Sequence, residues 1–345
     1  MLAMQDTLQH FTDRILQASK SGQPLRFRGG GTKDFLGQSL QGEVLDTTAY
    51  SGILSYEPSE LVITVRSGTS LAEVEAALAA QGQCFAFEPP HFGAGATIGG
   101  MVAAGLSGPA RASVGTVRDF VLGARVINGK GEHLTFGGQV MKNVAGYDVS
   151  RLLAGSWGQL GLITEVSLKV LPVFPGEATL VCAGVSQAQA LKLINQWGGQ
   201  PLPLNASAWV HDTTASPAQD FFFVRLRGAI AAVDAAVVKM RAEVQALGAQ
   251  VTRIDRVQAG YARIRRIAAV GLHQQVGDSD EDGRAIGGHA EMDEGIHVAG
   301  FLGRDVILSV EALHLTREMH GQVRRIEFGD GGDPGLAGDQ IGPPL

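Results

Sequence analysis

The chain has 345 residues, 45% of them hydrophobic and 18% charged, with a formal net charge of −6 and two cysteines. That length sets a prior of roughly two domains of about 150 residues each, and the composition can fill a packed core. The acidic balance argues against a nucleic-acid protein, which needs a basic face; Cys84 and Cys182 make neither a disulfide framework nor a zinc site and point to a reducing compartment.

The first residues, MLAMQDTLQHFTDRILQ, lack a long apolar run and read as neither a signal nor a transit peptide. No apolar stretch approaches about 18 residues, so no membrane-spanning helix is expected. Leu8, Phe11, Ile15 and Leu16 recur at helical spacing and predict an amphipathic helix over 4–20. Pro24 to Phe27 reads as a short strand, and Leu61 to Val65 as a β-branched one. Ser70-Leu71-Ala72-Glu73 predicts a capping box, opening a helix that carries Val74 and Leu78 and ends at Gly82. Pro89-Pro90 marks a loop. Phe120 to Ile127 and His133 to Phe136 form a hairpin about the turn Asn128 to Gly131. Leu162 to Leu171 alternates again.

Past Pro172 and Pro175 the texture changes. Strands are expected at 178–185, 207–210, 221–226 and 250–254, with helices at 187–197 and 229–247. That β-α-β-β-α-β order matches a ferredoxin-like unit, with few polar constellations, and reads as a cover domain. From about 257 the pattern fails. HQQVGDSDEDGRAIGGHAEMDEGIHVAG is rich in Asp, Gly and His, only Val306 to Leu315 resembles an ordered element, and the tail FGDGGDPGLAGDQIGPPL reads as disordered.

Glycine, at 47 residues, is about twice its usual share of roughly 7%. It shows no Gly-X-Y period, so collagen is excluded. It gathers instead in loops. Without a Cβ the backbone takes positive φ and brings its N–H groups close to a ligand. In Arg28-Gly29-Gly30-Gly31-Thr32, successive amides can form an anion-holding nest, and Thr32 adds a hydroxyl. Arg28 can pair with a phosphate or fold back onto the surface; the alternative for the whole motif is a flexible turn. The second loop spans Gly93 to Gly108. Gly93-x-Gly95-x-x-x-Gly99 is off by one from GxGxxG, and the preceding EPPHF is no strand, so a Rossmann fold is excluded. No GxxxxGKS or GxxxxGKT is present, so a P-loop is excluded too. What remains is a Gly/Ala-rich loop entering a short helix near Ile98, whose first amides and dipole suit a pyrophosphate. Two such loops far apart in sequence suggest two clamps on one long, phosphate-bearing cofactor.

RGGGT, EPPHFGAGATIGGMVAAGLSGP, VRDFVLGARVINGKGEHLTFGG and KNVAGYDVSRLLAGSWGQLGLITEVSLKVLP, taken together, carry a family likeness. They resemble the FAD-binding domain of the vanillyl-alcohol-oxidase/PCMH superfamily and, within it, the FAD-binding E subunits of bacterial glycolate oxidases. The resemblance covers about 24–175 closely and 176–255 more loosely. It implies an α+β protein: a two-lobed PCMH-type FAD-binding domain over 1–175, then a ferredoxin-like cap or substrate domain over 176–256. An atypical, partly disordered segment over 257–345 follows.

The activity implied is that of an FAD-dependent oxidoreductase. It would be the FAD-binding subunit of a glycolate (2-hydroxy-acid) oxidase complex, oxidising glycolate to glyoxylate. Electrons would pass to partners, a second flavin subunit and an iron–sulfur subunit; two cysteines are too few for this chain to carry a cluster itself. The alternatives are a self-sufficient FAD-dependent alcohol or hydroxy-acid oxidase and a non-catalytic FAD-binding assembly subunit. A cytoplasmic location is implied, with membrane association only through partners.

Carried over by motif, the pyrophosphate would rest on Arg28, Gly29, Gly30, Gly31 and Thr32 and on Pro90, Gly93, Ala94, Thr97, Gly99 and Gly100. Gly158, Gly161 and Ile163 would pass the adenine, and Gly105 and Ser107 would lie near the flavin ring. Thr32 and Lys33 stand where family members can place a flavin-linking histidine, so non-covalent FAD is expected. His91 is weighed as a flavin link against a solvent-exposed loop histidine. Lys142, Asn143, Tyr147, Asp148 and Arg151 read either as contacts near flavin or partner, or as local capping with Asp148 at an N-cap paired to Arg151. His289, Glu291, Glu294 and His297 have ligand chemistry but neither a rigid helix nor HExxH, so no metal is assigned. The catalytic base is unassigned. The family's closing FDPxGxFNPGR-like segment is missing, which a reading-frame change near 257–272 and true divergence both explain.

Overall fold

The computed structural model describes residues 2–36, 41–138, 147–212, 216–255, 296–301 and 307–308. Helix α1 (Leu2–Ser21) follows from the helical spacing and buries Phe11 and Ile15 against Leu45, Tyr50, Ile127 and Leu162. Beneath it, β1 (Leu25–Arg28) and β2 (Glu43–Asp46) form a parallel pair with Leu25 opposite Glu43.

Next come β3 (Ile53–Glu57), β4 (Val62–Arg66), α2 (Leu71–Ala80), β5 (Gln83–Cys84) and three short helices: α3 (Ile98–Ala104), α4 (Arg111–Val114) and α5 (Val117–Phe120). The hairpin β6 (Val121–Ile127) and β7 (His133–Gly137) is followed by α6 (Val149–Leu152), β8 (Leu162–Lys169) and β9 (Leu171–Pro172). The five-stranded sheet runs β3-β4-β8-β6-β7, and every pair in it is antiparallel. A doubly wound parallel sheet is therefore absent from the described residues, as the off-register glycine spacing implied. Ile63, Val65, Val166 and Leu168 of the central strands are fully buried against Leu71 and Leu78 of α2 and Ile98 of α3.

One local expectation is corrected. Ser70 is the N-cap of α2 but makes no side-chain cap bond. Its backbone neighbours bridge instead to the second glycine loop: Leu71 N–H donates to Ala96 O at 2.8 Å, and Ile98 N–H to Thr69 O at 2.9 Å. Capping boxes do form at α5, between Thr116 and Asp119, and at the helix that opens at Gln187, between Ser186 and Gln189.

The second unit runs β10 (Gly176–Ala183), α7 (Gln187–Gly198), β11 (Leu204–Asp212), β12 (Gln219–Gly228), α8 (Ile230–Gln245) and β13 (Gln250–Asp255). Its sheet order β13-β10-β12-β11, antiparallel throughout, is the fourth-first-third-second order of a ferredoxin-like unit. Both helices cover one face, where Trp197 stacks on Phe222 at 6.0 Å and Met240 is fully buried. Beyond β11 the sheet continues through β14 (Ile296–Phe301) and β15 (Ile307–Leu308). The latter falls inside the expected ordered stretch Val306 to Leu315, whereas β14, which takes in the end of the Asp/Gly/His-rich segment, was not expected; the rest of both stretches lies outside the described residues.

The second sheet is tied to the first unit by buried charge. Arg225 reaches Glu88 at 2.6 Å, and Arg227 bridges Glu88 at 3.3 Å and Glu177 at 2.8 Å. Asn205 accepts from Arg225 Nε at 2.6 Å, and its carbonyl accepts from Ser113 Oγ of α4 at 2.6 Å. Glu88 immediately precedes Pro89-Pro90 and the second glycine loop, so this junction fixes where that loop starts.

Candidate functional site: a cleft between two glycine loops

β1 ends at Arg28 and delivers the chain into Gly29–Lys33. The second loop, Gly93–Thr97, is held by its two backbone bonds to Thr69 and Leu71. The loops meet. A Cβ on Gly30 would lie 1.6 Å from Gly95 O, and one on Gly29 would lie 2.3 Å from Thr97 Oγ1. Real Cβ atoms do not approach that closely, so glycine at 29 and 30 is what lets the two main chains touch.

Among the described residues, no backbone carbonyl accepts from the amides of Gly29–Lys33 or of Gly93–Thr97. Gly30, Gly93, Ala94 and Gly95 are exposed, whereas Ala96 and Thr97 are buried. A concavity lined by amides of this kind can accept an anion. Beside the loops opens a cleft of about 380 Å³.

Of the expected cofactor residues, Arg28 to Thr32, Thr97, Gly99, Gly100, Gly158, Gly161 and Ile163 line this cleft. The structure thus brings together three segments that lie far apart in sequence. β8 reaches the cleft because it outruns β4. The β4–β8 ladder ends at Arg66 opposite Glu165, and Ser67 N–H then donates to Thr164 O at 2.7 Å. Leu162 and Ile163 keep β6 on one side and the cleft on the other.

Pro90, Gly93, Ala94, Gly105 and Ser107 are not on the cleft wall. Gly93 lies just behind it, its Cβ position 3.2 Å from Thr32 Cγ2. Gly105, at φ 67°, caps α3 and donates to Met101 O at 3.0 Å. The Ser107 hydroxyl is buried, donates to Gly105 O at 3.0 Å and accepts from Val117 N at 3.0 Å. Its role is to join α3 to α5.

The amides at the start of α3 correct a second expectation. Gly99 N–H donates to Ser67 O at 2.8 Å, Gly100 N–H to Thr97 Oγ1 at 3.3 Å and Met101 N–H to Thr97 O at 2.9 Å. The first turn of the helix is thus saturated within the protein. The unengaged amides are those of the loop ahead of it.

The charged side chains divide. Arg28 folds back, its Nε 2.7 Å from Asp34, with Arg26 at 3.8 Å from the same carboxylate. Lys33 has no ion-pair partner among the described residues; its Nζ lies over the Phe92 ring at 5.7 Å, and burial pushes its pKa down. An anion in the cleft would relieve that desolvation.

His91 lies off the cleft wall with Nε2 3.1 Å from the Glu75 carboxylate, so it is neither a free solvent histidine nor placed in the cleft. Asp148 accepts from Arg151 N at 3.3 Å and pairs with its guanidinium at 3.4 Å, the local-capping arrangement, while Tyr147 is 94% exposed. Lys142, Asn143, His289, Glu291 and Glu294, and the side chain of His297, lie outside the described residues. Sequence reasoning missed Ser67, Thr47 and Trp157 as wall residues. The one hint was the Ser67-Gly68 turn closing a β-branched strand just before a helix.

Residues 5–137 match the family model described as FAD binding domain. Over 236 residues the chain is 46% identical to glycolate oxidase subunit GlcE of Escherichia coli, covering 68% of this chain and 65% of that one. It is 32% identical over 160 residues to glycolate oxidase subunit GlcD of Bacillus subtilis, covering 46% of this chain and 34% of that one. Among solved structures, alkyldihydroxyacetonephosphate synthase superposes with a TM-score of 0.60 at 16% identity, over 77% of this chain and 57% of that chain. The matched stretch spans a little under two thirds of the Escherichia coli relative. The fold is therefore that of PCMH-type flavoproteins, with FAD as the cofactor of the family.

Proposed function

With residues 5–137 belonging to the FAD-binding-domain family as the premise, we propose that the chain is the FAD-binding subunit of a glycolate (2-hydroxy-acid) oxidase complex. The observation that carries the reading is the cleft: two glycine loops in contact, their amides accepted by no backbone carbonyl among the described residues, beside the start of the central strand β8. A diphosphate is the group these donors fit. Backbone amides of Gly29–Thr32, with that of Thr97 from the second loop, hold it, Lys33 supplies the compensating charge, and Gly158, Gly161 and Ile163 border the adenine end. Arg28 acts indirectly, keeping the first loop in shape through Asp34.

FAD, when bound, supplies the two-electron acceptor for oxidation of a hydroxy acid to an oxo acid. Thr32 and Lys33 form no flavin link, so the cofactor is held non-covalently. The division at 175/176 into an FAD-binding domain and a cap over 176–256 is part of the same reading, as are a cytoplasmic location and membrane contact through partners. No described helix is long and apolar enough to cross a membrane. Electrons leave through a second flavin subunit and an iron–sulfur subunit. Cys182 is a poor cluster ligand, since burial pushes its thiol up to about 12.

The test is the absorption spectrum of the purified chain, followed by acid precipitation and a glycolate-dependent dye-reduction assay. A flavin spectrum, flavin recovered in the supernatant, and turnover only after partner subunits are added are expected. A colourless protein that FAD does not reconstitute would overturn the reading. Turnover by the isolated chain would move it to the self-sufficient oxidase.

A further inference from the structure

Ser67 ends β4 and lies on the cleft wall, yet it is only 3% exposed. Its main chain is fully engaged: N–H donates to Thr164 O at 2.7 Å, and its carbonyl accepts from Gly99 N at 2.8 Å. Its side chain is not. Ser67 Oγ is buried and has no hydrogen-bond partner among the described residues. Orphaned buried hydroxyls are rare in native proteins, because the group loses its water without a replacement.

Space has been made for this side chain. A Cβ on Gly99 would lie 2.5 Å from Ser67 Cβ, so the absence of a side chain at 99 is what admits the one at 67. Alanine would occupy that space equally well and orphan nothing. An acceptor that enters the cleft would give this hydroxyl the partner it lacks among the described residues.

The surroundings fix the kind of group. On the cleft wall, the amides of Gly29–Lys33 and Thr97 donate to no backbone carbonyl among the described residues, the Lys33 ammonium adds positive charge, and the Asp34 carboxylate is taken up by Arg28 at 2.7 Å. A ligand atom that satisfies them is an acceptor carrying negative charge. We propose that Ser67 Oγ donates a hydrogen bond to a phosphate oxygen of the nucleotide held in this cleft, a contact that rests on the FAD reading above.

The experiment compares the flavin-stripped full chain with its Ser67→Ala variant by calorimetric titration with FAD and with ADP. Loss of one hydrogen bond to a charged group predicts binding weaker by roughly tenfold or more for both probes. The apo variant should unfold at the same or a higher denaturant concentration, since it loses only an unsatisfied hydroxyl. Equal FAD affinity in the two proteins overturns the proposal and leaves the flavin reading intact. Weaker FAD with unchanged ADP also overturns it, by moving the contact away from the diphosphate. A less stable apo variant shows that the hydroxyl serves the fold. A wild-type chain that takes up neither probe overturns the flavin reading and the Ser67 contact together.

Discussion

Around the cleft, the amides of Gly29–Lys33 and Gly93–Thr97 and the hydroxyl of Ser67 meet no partner among the described residues. At the junction with the second sheet, Glu88, Glu177, Arg225 and Arg227 each lie within 3.3 Å of an opposite charge. Both regions are polar and built from residues distant in sequence, but Gly30 and Gly93–Gly95 are exposed. One is closed upon itself and electrically neutral, two carboxylates against two guanidiniums. The other presents amide donors that no backbone carbonyl among the described residues engages. A sheltered polar cluster that is complete serves the fold, and one that is incomplete marks a ligand. Arginines on the second sheet would otherwise be natural choices to clamp a substrate carboxylate, yet these two are already neutralised.

The contrast predicts that mutations in the two regions separate stability from affinity. Glu88→Ala takes the carboxylate away from Arg225 and leaves Arg227 with Glu177 alone of its two, both arginine side chains being 8–10% exposed. Removing one partner of a buried pair costs about 3–5 kcal/mol, to be read by urea unfolding of the apo protein. Affinity for FAD, measured well below the unfolding midpoint, should change less than in the cleft variants. A large affinity loss without a stability loss would erase the distinction.

Lys33→Met should act in the opposite sense. Apo stability should hold or rise, because a desolvated cation is removed. FAD should bind roughly tenfold more weakly, with the deficit shrinking as salt is raised. An affinity that ignores both the substitution and the salt would take Lys33 out of the site.

The smallest effect concerns His133, whose Nε2 is 2.9 Å from Thr164 Oγ1 at the back of β8. Burial, aided by the Arg125 cation, lowers its pKa below the ordinary 6.5. The folded state therefore disfavours the imidazolium. Above pH 6.5 the group contributes no pH dependence, and stability falls as pH drops through 6.5 toward the lower folded value. His133→Gln should show a shallower decline across that window in denaturant titrations. An identical slope would remove His133 as the source.

The sequence was most legible where side-chain pattern and burial coincide. The alternating strands and amphipathic helices of 176–255 appear where expected, within a few residues at each end. β2 and β3 were not anticipated, because Glu43–Asp46 buries only Leu45 and Ile53–Glu57 buries no residue fully, leaving no hydrophobic period to read. The capping box at Ser70 failed because the tertiary bonds of its neighbours Leu71 and Thr69 to Ala96 and Ile98 override a local motif. Within the cleft, glycine density correctly indicated where loops converge, but not what each glycine does. Gly30 admits Gly95, whereas Gly99 admits Ser67. Such roles depend on which segment lies opposite, and that is set by the fold. Ser67 itself had no signature, since an orphaned hydroxyl is a property of its surroundings.

The most direct test of the cleft is FAD titration into the flavin-stripped chain and its Gly30→Ala variant. The added Cβ would fall 1.6 Å from Gly95 O, so the loops must part. The account predicts one FAD per wild-type chain and binding weaker by about a hundredfold or more in the variant, with the variant still folded. Full-affinity binding by Gly30→Ala would contradict it.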